Sequence, residues 1–259
     1  FTGSKSVGRE VLRSAAENLT SVTLELGGKS PVIVDKSADI QLTARRIVYG
    51  KYLNCGQTCV APDYVLCDER VHDALIAALK KEIAAQYPDA LHDASYGRIV
   101  NRRHFERITA LIDSDKVAAG GASNAESLQI EPTVLTDVSP EDAVMQEEIF
   151  GPVLPVLKVS SLDEAIAFVE SRPRPLALYL FTASRENREY VLGRCRFGGG
   201  CVNDTIMHLT TDNLPFGGVG ESGMGAYHGR WGFEEFSHLE GVLVRGSGPE
   251  SSFRYRPWT

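Results

Sequence analysis

The stretch LELGGKSPVIVD, residues 24–35, places an acidic residue and a double glycine directly before a run of β-branched residues. Its second half, PVIVD at 31–35, has the composition of a buried strand. Similar short runs recur at 63–68, 132–138, 152–159, 176–181 and 199–204. Segments with helical spacing lie between them, and this alternation predicts an α/β fold.

Three segments carry the helical pattern. Apolar residues recur every three or four positions in HDALIAALKKEIAAQY (72–87) and in RRHFERITALIDS (102–114). In SSLDEAIAFVESRP (160–173), Ser161 and Glu164 form a capping box, and the helix is expected to stop before the proline at 173. We expect the apolar stripes of these helices to be core.

Composition and charge limit the classes of function. The chain has 259 residues, 43% hydrophobic and 24% charged, as is typical of a soluble globular protein. A net charge of −7 without any basic run argues against nucleic acid or an anionic membrane as a partner. Neither a secretory leader nor an apolar run of membrane-spanning length is expected, and the tail FRYRPWT carries no apolar anchor. Five cysteines without a secreted framework suggest reduced thiols in the cytoplasm.

The stretch NCGQTC, residues 54–59, contains two of those cysteines. Their spacing is poor for zinc and no second Cys/His pair follows, so we expect no metal site. A disulfide across so short a loop would be strained. A nucleophilic thiol remains, since a glycine lets the backbone approach a ligand and the cysteine amide can face an oxyanion. The competing interpretation is a buried, inert thiol.

A partner for such a thiol is Glu25, which is flanked by two leucines. Partial desolvation would raise its pKa towards the range of a general base. The two glycines that follow would let a flat ligand lie against bare backbone. An isolated acidic residue in this setting would more often be a solvent-facing strand residue.

Four motifs together resemble the aldehyde dehydrogenases. TLELGGKSP (23–31) and NCGQTC resemble that family's two signatures, MQEEIFGPVLPV (145–156) its cofactor-ribose motif, and LPFGGVGESGMG (214–225) its late glycine-rich loop. The details FTGSKSVG, IMH and MGAYHG are most similar to the class 3 branch, which takes fatty and aromatic aldehydes. The resemblance implies a catalytic domain with a Rossmann-like open sheet flanked by helices, together with the tail end of a dinucleotide-binding domain.

The resemblance also implies a mechanism. Only Cys59 fits the family's pattern of glycine, glutamine or glutamate, any residue and cysteine, so Cys59 rather than Cys55 would be the nucleophile. Its thiohemiacetal with an aldehyde would lose a hydride to NAD or NADP, and Glu25 would activate the water that hydrolyses the resulting thioester to a carboxylic acid.

Further site residues follow from the same resemblance. The cofactor-binding residues would be Gly3, Ser4, Leu26, Gly27, Glu148 and Phe150. The aldehyde tunnel, suited to medium or long aliphatic and to aromatic substrates, would be lined by Tyr49, Leu53, Thr58, Ile206 and Phe216. Without the resemblance, FTGS would be a plain turn, since it lacks a complete dinucleotide or phosphate-loop motif.

The expected organisation has three parts. Residues 1–26 would be the last strand and helix of the dinucleotide-binding domain, 27–218 the catalytic domain, and 219–259 a carboxyl-terminal return and oligomerisation segment. We expect the chain to be part of a longer polypeptide and to form a homodimer. Two alternatives stay open: a thiol esterase or acyl-transfer enzyme that needs no cofactor, and a truncated, non-catalytic dimerising protein.

Overall fold

The computed structural model describes residues 1–257, so Trp258 and Thr259, the end of the predicted carboxyl-terminal segment, lie outside the described residues. The helices are α1 Lys5–Glu17, α2 Ile40–Tyr52, α3 Glu69–Gln86, α4 Arg102–Thr109, α5 Leu162–Glu170, α6 Arg185–Arg194 and α7 Gly229–Glu235. The strands are β1 Thr2–Gly3, β2 Leu24–Leu26, β3 Pro31–Val34, β4 Tyr64–Asp68, β5 Val117–Ala119, β6 Ser123–Asn124, β7 Gln129–Ile130, β8 Thr133–Leu135, β9 Val153–Val159, β10 Ala177–Phe181, β11 Gly199–Val202 and β12 Gly223–Met224. Short 3-10 helices cover Leu53–Gly56, Ser114–Lys116, Ala143–Met145, Met207–Thr210, Gly220–Ser222 and Ser252–Arg254.

The main sheet has the order β11-β10-β3-β4-β9-β8-β5. All of its neighbouring strands are parallel except the pair of β5 with β8 at one edge. All six runs predicted as strands lie in this sheet. Their continuous apolar character has a direct cause, because a parallel sheet covered by helices buries both faces of each strand.

Alternate residues of the central strands enter two separate cores. Ile33 and Leu66 belong to the first core, which α4, α5 and α6 cover, whereas their neighbours Val32 and Val65 belong to the second core, which α2 and α3 cover. The strand period of two directs successive side chains to opposite faces, so one sheet supports both cores.

The helices begin where their side chains can cap them. Asp39 accepts the Leu42 amide at 3.1 Å at the start of α2. Ser161 accepts the Glu164 amide at 3.2 Å at the start of α5, as predicted. The Glu164 carboxylate, however, accepts from the amide and the hydroxyl of Ser160 rather than from the Ser161 amide. The cap is thus shifted by one residue relative to a standard capping box.

A second, smaller sheet has the order β1-β2-β12. β1 pairs parallel with β2, and β12 pairs antiparallel with it. The two ends of the chain therefore meet on β2, the strand that carries Glu25. The residues at 1–26 and at 223–224, predicted to lie in different parts of the chain, share this sheet; the predicted domain boundaries themselves stay a prediction.

Candidate active site

The NCGQTC loop leaves α2 through a tight left-handed turn. Asn54 and Cys55 have φ values of 52° and 53°, and Gly56 follows at 72°. A Cβ atom on Gly56 would overlap the carbonyl of Gly151, so only glycine fits this contact. The loop therefore crosses directly against the segment that carries Glu148.

Gln57 fixes the loop from its other side. Its side-chain amide donates to the carbonyls of Asn54 at 3.2 Å and Arg98 at 3.0 Å. Its side-chain oxygen accepts from the Val100 amide at 2.9 Å. Because all of these bonds go to backbone groups, Gln57 holds the loop in shape.

The two cysteines of the loop lie in different surroundings. Cys55 is 2% exposed and belongs to the first core, whereas Cys59 is half-buried and packs against the second. Burial raises the pKa of Cys55 to about 11, opposed by a hydrogen bond with Tyr96. The pKa of Cys59 is also raised to about 11, first by burial, then by the charges of Glu148 and Glu25. Backbone N–H groups of Cys59 and Val60 act in the opposite direction.

Glu25 lies at the centre of the small sheet. Thr2 is its partner on β1 and Gly223 its partner on β12. The side chain is 4% exposed, and neither carboxylate oxygen has a hydrogen-bond partner among the described residues. Burial raises the pKa of Glu25 to about 7. A carboxyl group with this pKa and free lone pairs can accept a proton near neutral pH.

Glu148 is held against the double glycine of residues 27–28. A Cβ on Gly27 would overlap the Glu148 carboxylate, and the Gly28 amide donates a hydrogen bond to it. The pKa of Glu148 is raised to about 7, mainly by burial and then by the charge of Asp63. The space beside Gly27 is therefore occupied by the Glu148 carboxylate.

A buried ion pair positions this region, and sequence reasoning did not identify it. Lys29 pairs with Asp63 and also donates to the carbonyls of Val144 and Glu147, both at 2.9 Å. Asp63 accepts from the Ile149 amide at 2.9 Å. The pair is about nine-tenths buried and ties residues 144–149 to the strand–loop junctions around Lys29 and Asp63. The only feature of the sequence that could have indicated this ion pair is the position of Lys29, directly after the double glycine.

The other predicted cofactor residues surround the small sheet. Gly3 ends β1, and Ser4 caps α1 by accepting the Val7 amide at 3.4 Å. Leu26 is buried and packs against Gly8 of α1. Phe150 has a φ of 48° and is 40% exposed beside the Glu148 segment.

The predicted substrate-lining residues divide into two groups. Ile206 and Phe216 are buried in the second core, against which Cys59 packs, and Thr58 is half-buried next to it. Tyr49 and Leu53 are exposed at the end of α2. The two groups remain adjacent because Gly50 of α2 packs against Thr205 and Ile206. The structure therefore places a buried apolar wall, formed by Ile206 and Phe216, next to an exposed rim, formed by Tyr49 and Leu53.

Residues 1–257 contain no arrangement typical of a metal site, a disulfide or a membrane span. No cluster of three or more His, Cys, Asp or Glu side chains in that range is arranged to hold a metal ion. All five cysteines are free. None of the helices in the described part of the chain combines the length and apolar character that crossing a bilayer requires.

Comparison with known proteins was made at the levels of sequence and structure. The chain is 51% identical over 257 residues to the mouse protein named "Aldehyde dehydrogenase, dimeric NADP-preferring", covering 99% of this chain and 57% of that one. It is 47% identical over 260 residues to the rat "Aldehyde dehydrogenase family 3 member A2", covering 99% and 54%. A solved structure of Staphylococcus aureus AldH, described as substrate-bound, superposes with a TM-score of 0.96 at 49% identity, covering 100% of this chain and 57% of that one.

The match extends over nearly the whole chain. The chain spans about half the length of the curated relatives it matches. The class 3 resemblance predicted from the motifs is confirmed by these relatives, and the α/β fold is confirmed by the structural neighbour. Residues 1–242 match the aldehyde dehydrogenase family. The chain therefore belongs to the aldehyde dehydrogenase family.

Proposed function

We propose that this chain is the catalytic part of an NAD- or NADP-dependent aldehyde dehydrogenase that converts aldehydes to carboxylic acids. The observation that carries the proposal is the position of Glu25. Both of its oxygens are buried without a hydrogen-bond partner among residues 1–257, and its charge is close enough to raise the pKa of the Cys59 thiol. A thiol and an unpartnered carboxyl group in one site are what thioester chemistry requires.

The first half-reaction uses Cys59. Its sulfur forms a bond to the aldehyde carbon, and the oxygen that becomes negative is stabilised in part by the Cys59 amide. With a pKa of about 11 the thiol is protonated at neutral pH, so its proton passes to the Glu25 carboxylate, which has free lone pairs, as the bond forms. Glu25 then releases this proton to solvent before the second half-reaction. Hydride loss from the thiohemiacetal then leaves a thioester on the sulfur.

The second half-reaction uses Glu25. A water molecule gives up a proton to the Glu25 carboxylate and attacks the thioester carbon. The carbon–sulfur bond breaks, the acid leaves, and the thiol is restored. The pKa of about 7 for Glu25 makes it a base that is neither fully protonated nor weak at neutral pH.

The residues around the small sheet fit a nicotinamide dinucleotide. When bound, this cofactor supplies the acceptor for the hydride. Glu148 has lone pairs beyond the one used by the Gly28 amide and would hold a ribose hydroxyl, with Phe150 beside it. Gly3 and Ser4 stand at the amino terminus of α1, where helix amide groups favour a phosphate, and Leu26 and Gly27 complete the surface.

The substrate class rests on the apolar wall. Ile206 and Phe216, with Thr58 next to Cys59, suit the chain or ring of a medium-chain, long-chain or aromatic aldehyde. Tyr49 and Leu53 would contact its distal end at the rim. A homodimer and a cytoplasmic location complete the proposal, supported by the name of the dimeric mouse relative and by the free thiols.

The test is an assay of the natural gene product with a long-chain or aromatic aldehyde and either NAD or NADP, following absorbance of the reduced cofactor. We expect reduction that depends on both substrates and disappears in a Cys59→Ala variant. Ester hydrolysis without any cofactor reduction would instead favour the thiol esterase. Absence of both activities in a folded protein would favour a non-catalytic protein.

A further inference from the structure

Tyr227 lies close to Glu25 because of how the chain returns after β12. Gly223 of β12 pairs with Glu25, so the chain passes directly beside the carboxylate strand. Gly225 turns the chain with a φ of 79°. Tyr227 then makes two backbone hydrogen bonds with Phe216, one in each direction and both 2.8 Å long. These contacts fix the backbone of Tyr227 between the small sheet and the apolar wall.

The ring of Tyr227 is held on two sides. It packs edge-on against Phe216, with centroids 5.8 Å apart, and against His228 at 4.6 Å. Phe216 and His228 also stack on each other at 5.0 Å. The phenol hydroxyl has no hydrogen-bond partner among residues 1–257, so the ring is fixed while its polar end is free to bind a ligand.

Tyr227 and Cys59 both pack against the second core, where Tyr227 contacts Phe216. After burial, the charges of Glu25 and Cys59 are the causes that raise the pKa of Tyr227, which keeps the phenol protonated and able to donate. The two oxygens of Glu25 are buried and have no partner within the described chain. A fixed donor and two open acceptors next to a thiol provide the polar groups that an ordered water needs.

We propose that Tyr227 is a positioning residue for thioester hydrolysis, and that its phenol holds the attacking water against Glu25. This inference rests on the proposed function. The phenol donates to the water oxygen, one water proton passes to the Glu25 carboxylate, and the second lone pair of the oxygen attacks the thioester carbon on Cys59. As the carbon–sulfur bond breaks, the sulfur leaves as a thiolate and takes the proton back, giving the acid and the free thiol.

The experiment measures acylation and hydrolysis separately in the natural gene product. A chromogenic carboxylic ester acylates the cysteine without any cofactor, so an initial burst counts acylated sites and the later steady rate reports hydrolysis. For Tyr227→Phe, which keeps the ring contacts, we expect a wild-type burst and a steady rate about tenfold lower, the size of one lost hydrogen bond in a transition state. Intact-protein mass should show acyl-enzyme accumulating on Cys59.

Two controls separate positioning from a structural role. Tyr190→Phe removes a phenol that donates to Asp163, far from the thiol, and should leave both phases unchanged. Rates are divided by burst amplitude, so partial unfolding does not imitate slow hydrolysis. An unchanged steady rate in Tyr227→Phe, or an equal fall in the rates of acylation and hydrolysis, would overturn the proposal.

The pH profile gives a second readout. Glu25 must be deprotonated to act, so hydrolysis rises as the pH rises through its pKa. The titratable groups beside Glu25 are the Cys59 thiol and the Tyr227 phenol. In Tyr227→Phe the site loses a hydrogen-bond donor beside the carboxylate, so the rise of the hydrolysis rate should move to higher pH. A rise at the same pH as in the wild type would contradict the proposal. A wild-type protein without burst or aldehyde oxidation would instead reject the proposed function itself.

Discussion

The two cysteines of the NCGQTC loop lie on opposite faces of the main sheet, and the two faces give them different surroundings. Cys55 enters the first core and Cys59 borders the second, although only three residues separate them. Their pKa values are both raised to about 11, and burial is the largest cause at each. Burial dominates at Cys55, whereas at Cys59 two carboxyl groups add to burial. One environment is fixed by packing and the other changes with the protonation of its neighbours.

This difference supports the proposal that the chemistry takes place at Cys59. Glu25 and Glu148 both have a pKa of about 7, so their charges change within the physiological range. The ionisation of Cys59 is therefore coupled to two groups that titrate near neutrality. At Cys55 the neighbouring titratable groups are Tyr87 and Tyr96, whose pKa values burial also raises.

The largest expected effect compares the two thiols directly. Cys59→Ala should lower aldehyde oxidation at least about 1000-fold, because no nucleophile remains to form the thioester. Cys55→Ala should keep most of the activity and lose only stability, since it leaves a small gap in the first core. Reduced-cofactor absorbance and thermal unfolding measure the two outcomes. Equal losses of activity in both variants would remove the distinction between the faces.

The next effect concerns the base on the active face. Glu25→Gln should slow steady turnover about 100-fold and trap acyl-enzyme on Cys59, visible as a mass increase. The wild-type rate of hydrolysis should rise as the pH rises through about 7, where the Glu25 carboxyl loses its proton, and the variant should lack this limb. Glu17→Gln on the exposed side of α1 is the control and should behave as wild type. If the hydrolysis rate of Glu25→Gln still rose with pH through about 7, another group would be responsible for the rise.

A third prediction concerns Gly56, in the turn between the two cysteines. Gly56→Ala should lower the free energy of unfolding by about 2 kcal/mol, because its positive φ and the Gly151 carbonyl both reject a Cβ. Gly193→Ala in α6, where nothing lies within 4 Å of the added carbon, is the matched control and should be neutral or slightly stabilising. Denaturant unfolding gives both values. A Gly56→Ala protein as stable as wild type would mean that the turn is not held by this contact.

The smallest effect tests the electrostatic difference. At a pH of about 8, Glu148→Gln should speed alkylation of Cys59 about threefold, because removing a nearby negative charge lowers the pKa of the thiol. Alkylation of Cys55 should not change, and exposed Glu147→Gln should change neither rate. Mass mapping of the labelled cysteines separates the rates. Slower labelling of Cys59 in Glu148→Gln would reverse the sign of the coupling.

Sequence patterns predicted the main elements well where burial was continuous. The strands predicted at 31–35 and 176–181 appear as β3 and β10. A short, continuous run of apolar and β-branched residues is typical of a strand that is buried on both faces. The helix predicted at 102–114 ends at Thr109, although Leu111 and Ile112 continue its apolar period and still pack on the core. Periodicity marks which residues are buried, but here the last turn changes conformation without leaving the core.

Of the helices that were not predicted, α2 and α6 are the longest, and they were missed for different reasons. α2 has a readable signal, because Ala44, Ile47 and Val48 share one buried face, but two arginines and a glycine interrupt its composition. α6 buries only Val191 and therefore has almost no apolar period. The omission of α2 mattered most, since this helix delivers the NCGQTC loop to the site.

The sequence by itself determined the family and the strand and helix alternation, because these depend on local composition and on motif order. Its assignment of Cys59 as nucleophile and Glu25 as base stays a prediction. The tertiary structure alone decided that Cys59 borders the second core, that Lys29 and Asp63 form a buried pair, and that β12 returns beside Glu25. These facts depend on contacts between distant parts of the chain. The desolvation and the neighbouring charges that set each pKa exist only after those parts have packed together.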